Sequence, residues 1–322
     1  MTGEFGSRGI STICSAGMSS NLASRARAVC VVRDPILRRA LRRSLGGSGT
    51  RVEFRETLEG GGALAPDTIL FLDHEDRDAA ALQAVARAMG ERGRIVMLGG
   101  GSLGDGELVA LLRERALDHV IADRGTPEEH ELAVTSAKLH SGDIFGLEKY
   151  LAWGVTANEI EVSSYEEKCA ALDRLGSAAE SVGVRRRMMN RIQGVADELL
   201  MNALYDAPAA AGAEPGAAAE PGALLRYSCD GRHFALSVLD RFGALDKRAL
   251  LDAVLRARAD LGRPRAQGGA GLGLYFVLSS VTRFIVNVQP GRRTEVVCLF
   301  DLRERGRDAA GWARSLHVFT AA

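Results

Sequence analysis

The chain has 322 residues, 46% of them hydrophobic and 25% charged, with 41 basic residues balanced by 41 acidic ones. That length holds two ordinary domains, each able to bury its own core. The charge balance gives no electrostatic footprint for nucleic acid or an anionic lipid surface, and no apolar run approaches the roughly 20 residues that span a bilayer.

Residues 1–24 lack the basic-then-apolar layout of a signal peptide and read as a disordered leader. From Arg25 to about His140 the hydrophobic period then switches repeatedly between strand and helix. "AVCVV" (28–32) reads as a strand and "ILRRALRRSL" as a helix; "RVEF" and "TILFLD" (68–73) follow as strands. After a helical stretch through Met89 come the strand "RIVML" (94–98), the helix "ELVALLRERAL", the strand "DHVIA" (118–122) and a closing helix, "PEEHELAVTSAKLH". Strands alternating with helices predict an α/β unit, a parallel sheet covered on both faces. Residues 141–155 read as a helical connector.

Five scattered cysteines, most within apolar runs and none in a CxxC pair, read as buried free thiols of a reducing cytoplasm. Six dispersed histidines show no HxH or HExxH spacing, so no transition-metal site is expected.

The five strand–helix units of residues 25–140 resemble a response-regulator receiver domain, which implies a flavodoxin-like topology. Asp73 stands in the phosphoacceptor position of that family, and it fits equally well as a loop cap. Val32 and Arg33 replace the acidic pair that would hold Mg²⁺, Gly99 the hydroxyl, and Ala122 or Asp123 the lysine. Without oxygen ligands for a hard cation, this half is expected to dock or dimerise rather than accept phosphate.

The second half opens with the strand "EIEVS" and a helical pattern from Ser164 to Val182. A second helix, "RRMMNRIQGVADELLMNALYDA", lines up Met188, Ile192, Val195, Leu199 and Ala203 on one stripe. On its flank lie Glu198 and Asn202, four residues apart and so neighbours on the helix surface. Such a pair can coordinate Mg²⁺ through oxygen and position a hydroxyl, or be a solvated surface pair. A low-complexity insertion (about 207–222) rich in Ala, Pro and Gly reads as a mobile loop. "LLRYSCDGRHFALSVLD" reads as a hairpin about an Asp-Gly turn, ending in Asp240. The helix "DKRALLDAVLRARAD" leads through a polar loop to "QGGAGLGLYF".

Those glycines lack the GK[ST] of a Walker loop and the third glycine and preceding strand of a Rossmann fingerprint. What the second half matches is an ordered set: Glu198-x-x-x-Asn202 on a helix, Asp240-x-x-Gly243 after a strand, GGAGLGL (268–274) before a helix, and Thr294 opening the last long strand. In that order they resemble the GHKL superfamily of Bergerat-fold, histidine kinase-like ATP-binding domains, an α/β sandwich, over about residues 156–320. The format is most similar to anti-sigma-factor serine kinases.

The resemblance implies ATP and Mg²⁺ as cofactors. Asn202 would hold the metal, Glu198 would activate a water or hydroxyl, and Asp240, with Thr294, would receive the adenine amine. Gly269, Gly271 and Gly273, with Leu272 and Leu274, would cradle the phosphates at a helix N-terminus, and Gly243 would shape the adenine box. Two departures stand out. Phe242 and Ala244 replace glycines of the Asp240 box, and Tyr205 and Asp206 replace the basic residues that often follow the asparagine. The expectation is a cytoplasmic, bacterial-type signalling protein, with no membrane or nucleic-acid partner, that binds ATP and a regulatory protein and could pair as a homodimer. It either transfers the γ-phosphoryl to Ser or Thr of that partner or senses ATP without chemistry. A protein whose glycines only shape turns is the third class.

Overall fold

The computed structural model describes residues 26–57, 64–65, 67–74, 94–99, 113, 117–122, 128–212, 222–259, 272–303 and 313–321. In the first half these form β1 (Arg27–Val31), α1 (Pro35–Gly47), β2 (Arg51–Arg55), β3 (Ile69–Asp73), β4 (Ile95–Leu98), β5 (Leu117–Ile121) and α2 (Glu129–Ser141). The strands β1 to β5 are parallel in the order β2-β1-β3-β4-β5. Their side chains alternate between two cores: Val29, Val31, Leu70 and Leu72 face one, Cys30, Ile69 and Phe71 the other. Burial on both faces explains why these strands read as unbroken apolar runs. Leu37, Leu41 and Leu45 of α1 and Leu132 of α2 cover the second core.

The second half contains β6 (Asn158–Val162), α3 (Tyr165–Ser181), α4 (Arg186–Met201), a π-helical turn (Asn202–Asp206), α5 (Ala207–Ala210), β7 (Ala223–Cys229) and β8 (His233–Asp240). It ends in α6 (Lys247–Ala259), α7 (Leu272–Ser280), β9 (Arg283–Gln289), β10 (Arg293–Asp301) and β11 (Ser315–Thr320). The segment 207–222 expected to be a loop begins as the α5 turn, and residues 213–221 lie outside the described residues.

The expected parallel sheet and α/β sandwich are continuous with one another among the described strands. A single 11-stranded mixed sheet runs β2-β1-β3-β4-β5-β11-β9-β10-β8-β7-β6. The joint is β11, a short strand beyond the last long strand, β10, that the sequence reading does not contain. Ser315, Leu316 and His317 pair antiparallel with Ile121, Val120 and His119, and the whole strand pairs parallel with β9. One apolar core therefore runs from Val29 and Met97 to Ile192, Leu225 and Phe284 on the face that α3, α4, α6 and α7 cover.

The connector 141–155 is a sheet cover rather than a helix. One 3₁₀ turn (Leu147–Tyr150) helps bury Ile144, Leu147, Tyr150 and Leu151 against Ala235, Ile285 and Val297 on the opposite face. α2 is fastened to the same face by buried polar groups. Glu131 accepts from Arg283 Nε at 2.8 Å and meets His317 Nε2 at 3.1 Å. Lys138 donates to Asn287 Oδ1 at 2.7 Å and to the Tyr150 hydroxyl, and Asn287 donates to Glu295 at 2.9 Å.

Candidate functional site

The site is built on α4. Ile192, Val195, Ala196, Leu199 and Leu200 bury one face of this helix and leave Glu198 and Asn202 on its flank. At Asn202 the helix widens into the π turn, and the Asn202 amide reaches both the Glu198 and Leu199 carbonyls. π insertions of this kind are frequent at functional sites. Gly194 lets α7 approach α4: a β-carbon there would meet the Phe276 ring at 3.0 Å. One helical turn on, a β-carbon on Gly273 would lie 1.9 Å from Glu198 Oε2. The sequence assigned Gly273 to phosphate approach; in the fold it makes room for the Glu198 carboxylate at the N-terminus of α7.

β8 delivers Asp240, and β10 delivers Thr294 directly opposite it. Asp240 Oδ1 accepts the Phe242 and Gly243 amides at 2.8 and 3.2 Å, which bends the chain away from the strand. Gly243 (φ +61°) is forced by geometry, since a β-carbon would sit 2.2 Å from the Gln289 carbonyl. Its place is against the β9–β10 turn, where its carbonyl accepts the Gly291 amide. The Thr294 hydroxyl is buried beside the Asp240 carboxyl and favours its ionised form.

Glu198, Asn202, Asp240, Gly273, Leu274 and Thr294 all line one cavity of about 760 Å³ between α3, α4, α6, β8 and β10. Leu272 is half-exposed at the start of α7 and, like Gly243, is not among the cavity's described walls. Gly269 and Gly271 lie outside the described residues. Val238, Ala249, Leu250, Ala253 and Val296 make the Asp240 end apolar. Burial there pushes the Asp240 carboxyl above its ordinary pKa, against the pull of the Phe242 and Gly243 amides. Glu198 is raised too, by partial burial and then by the Asp197 and Asp206 charges, with Lys168 opposing.

Sequence reasoning missed Tyr165, Lys168 and Asp197 as cavity walls. Tyr165 and Lys168 lie at the start of α3, where Ser164 caps the helix by accepting the Glu167 amide and Glu167 accepts the Ser163 amide at 2.7 Å. That turn sets Lys168 over the Tyr165 ring, 4.7 Å from its centroid, and against the Asp197 carboxylate. The i,i+3 spacing of Tyr165 and Lys168 was visible; the pairing with Asp197 on another helix was not.

The far wall, α6, is capped by Asp246, which accepts the Ala249 amide at 2.8 Å. Lys247 ties that helix to β5 through the Leu117 carbonyl at 2.7 Å and Asp118 at 2.6 Å. In the first half, Asp73 ends β3 as expected, beside Leu98 of β4. Asp34, next to Arg33, caps α1 by accepting the Ile36 amide at 2.9 Å.

Cys30 and Cys298 are buried free thiols, as expected, while Cys169 is exposed. No described helix is long and apolar enough to cross a membrane. No protein-family model and no curated protein matches the chain. Over 45% of its length it is similar to 89% of a chain in the solved SiaB–SiaC complex from Pseudomonas aeruginosa, at 15% identity and a TM-score of 0.33.

Proposed function

We propose that the chain is a signalling protein that binds ATP with Mg²⁺ in the cavity beside α4, on a Bergerat-type half preceded by a receiver-like half without phosphoacceptor chemistry. One observation carries this reading. Of the eight described residues that the motif resemblance assigns, six, on α4, its π turn, β8, α7 and β10, line one cavity. The walls suit the ligand. A buried carboxyl and the buried hydroxyl beside it, Asp240 and Thr294, stand in apolar surroundings fit for a purine edge. Asn202 and Glu198 offer oxygen donors in the same cavity. That suits Mg²⁺, which is usually held by one or two protein oxygens together with phosphates. When bound, the ion would supply charge neutralisation between phosphates. The parallel β2-β1-β3-β4-β5 order supports the flavodoxin-like assignment of the first half.

Glu198, raised towards neutrality, is the group suited to take the proton of a Ser or Thr hydroxyl during γ-phosphoryl transfer to a protein partner. The second reading is an ATP sensor without chemistry. It is favoured by Asp197 and Asp206, which add like charge around Glu198 where phosphates would lie. Titration calorimetry with ATP and ADP, with and without Mg²⁺, tests the shared part. Wild type binds and Asn202→Ala loses the Mg²⁺ dependence; no binding at millimolar nucleotide overturns both readings. Transfer of labelled γ-phosphate that Glu198→Gln abolishes selects the kinase, and binding without transfer selects the sensor.

A further inference from the structure

The charged walls of the cavity are unequal. Asp197, Glu198, Asp206, Asp240 and Asp246 are acidic, and Lys168 is the one cation among the described residues that line it. Among the described residues, the positive side chain that a polyphosphate entering this space meets comes from α3, not from the stretch after Asn202, where Tyr205 and Asp206 stand.

Lys168 belongs to the Glu198 end. It and Asp197 act electrostatically on Glu198, whereas the groups that act on Asp240 are the Phe242, Gly243 and Thr294 dipoles. The lysine stem is packed away, with the side chain only 5% exposed, so the ammonium is held rather than swept through solvent. Burial works against its charge, but the hydrogen bond and charge of Asp197 outweigh this and keep it protonated. An ammonium has three N–H donors. Asp197 takes one, and the Tyr165 face steadies the cation without consuming a donor.

We propose that Lys168 is the specificity-determining residue of the cavity: its ammonium grips the outer phosphates of the nucleotide, and Asp197 positions it while competing for it. This rests on the nucleotide-binding reading above. Lys168 thus sets how strongly affinity grows with phosphate number, while Asp240 and Thr294 set the preference for the base.

Calorimetric titration of AMP, ADP and ATP, each with Mg²⁺, into wild type, Lys168→Met, Lys168→Arg and Asp197→Asn tests this. Loss of one charge-assisted hydrogen bond predicts that Lys168→Met weakens ATP by about 10- to 100-fold and AMP by less than about twofold. Lys168→Arg falls between. Asp197 has a half-exposed side chain, 42% accessible, so Asp197→Asn keeps the fold even if the methionine variant does not. It frees the ammonium and widens the ATP-over-AMP preference severalfold. Equal losses for all three nucleotides in Lys168→Met, or an unchanged or narrowed preference in Asp197→Asn, overturn the assignment of Lys168 while leaving nucleotide binding intact. Failure of wild type to bind any of the three overturns the nucleotide reading and this inference with it.

Discussion

Gly273 and Glu198 occupy one another's space: a β-carbon on the glycine would stand 1.9 Å from a carboxylate oxygen of the glutamate. The atom in the way is the end of a flexible side chain, so the conflict resolves by moving the carboxylate and not the helix. Gly273→Ala therefore leaves stability unchanged or raises it by up to about 1 kcal/mol, because alanine is the better helix former. The displaced Glu198 loses its position, and any phosphoryl transfer falls on the order of 100-fold, the cost of an ångström's misplacement. Thermal melts paired with labelled-phosphate assays check this. Destabilisation of Gly273→Ala would show instead that the glycine supports packing.

Gly243 makes the opposite case. Its positive φ costs an L-residue about 1–2 kcal/mol, and the atoms facing it are rigid backbone: the Gln289 carbonyl at 2.2 Å and the Arg292 and Arg293 amides at 2.6 and 2.8 Å. Gly243→Ala should lower stability by more than about 2 kcal/mol, the strain plus a displaced β9–β10 turn. Gly291→Ala is the control, since Gly291 has a similar φ (+67°) but open space where the β-carbon would go. Denaturant midpoints should fall clearly further for Gly243→Ala. Equal falls would mean that strain alone is at work.

The contrast between these glycines also shows what the sequence could carry. α4 was legible because its apolar stripe keeps a 3.6 period, and Asp240 because it follows an apolar run; both are local patterns. Lys168 was not, because the Asp197 carboxylate that makes it a cavity wall lies 29 residues away on another helix. β11 was missed although "SLHVFT" is β-rich, since nothing local marks a strand that bridges β5 and β9. The connector misled for a different reason. Ile144, Leu147 and Tyr150 are spaced by three, a pattern that one 3₁₀ turn and an irregular cover satisfy as well as a helix does.

Asp240 sits in the cavity at a cost to the folded state. Its folded pKa is raised, chiefly by burial, so between the unfolded and folded values the native protein binds more protons than the unfolded chain. Stability from this group is therefore greatest at low pH and is lost as pH rises through the folded value. Asp240→Asn keeps an oxygen for the Phe242 and Gly243 amides and removes the buried charge. The nucleotide-free variant should melt higher than wild type at pH 7, with the difference shrinking towards pH 4. Nucleotide affinity should drop by about 10- to 100-fold if the carboxylate receives a ligand donor. A variant less stable than wild type at neutral pH would place Asp240 among the structural residues.

Lys138 gives the clearest pH signature, at the face where α2 meets the second half of the sheet. Burial pulls its ammonium down to about 6, against the attraction of Glu295. An unfolded lysine keeps its proton to about 10.4, so between about 6 and 10.4 the unfolded chain holds a proton that the native protein lacks. The sign follows: stability rises with pH across that window, by at most about 1.4 kcal/mol per unit, and is lost as pH falls towards 6. Lys138→Met removes the slope. It also leaves the Tyr150 hydroxyl and Asn287 Oδ1 without their donor, which costs stability at every pH, so the baseline is not the diagnostic. Chemical denaturation of wild type and variant at steps from pH 6 to 9.5 measures the slopes. Wild type should gain stability relative to the variant at each step, and parallel curves would mean that Lys138 stays charged in the folded protein.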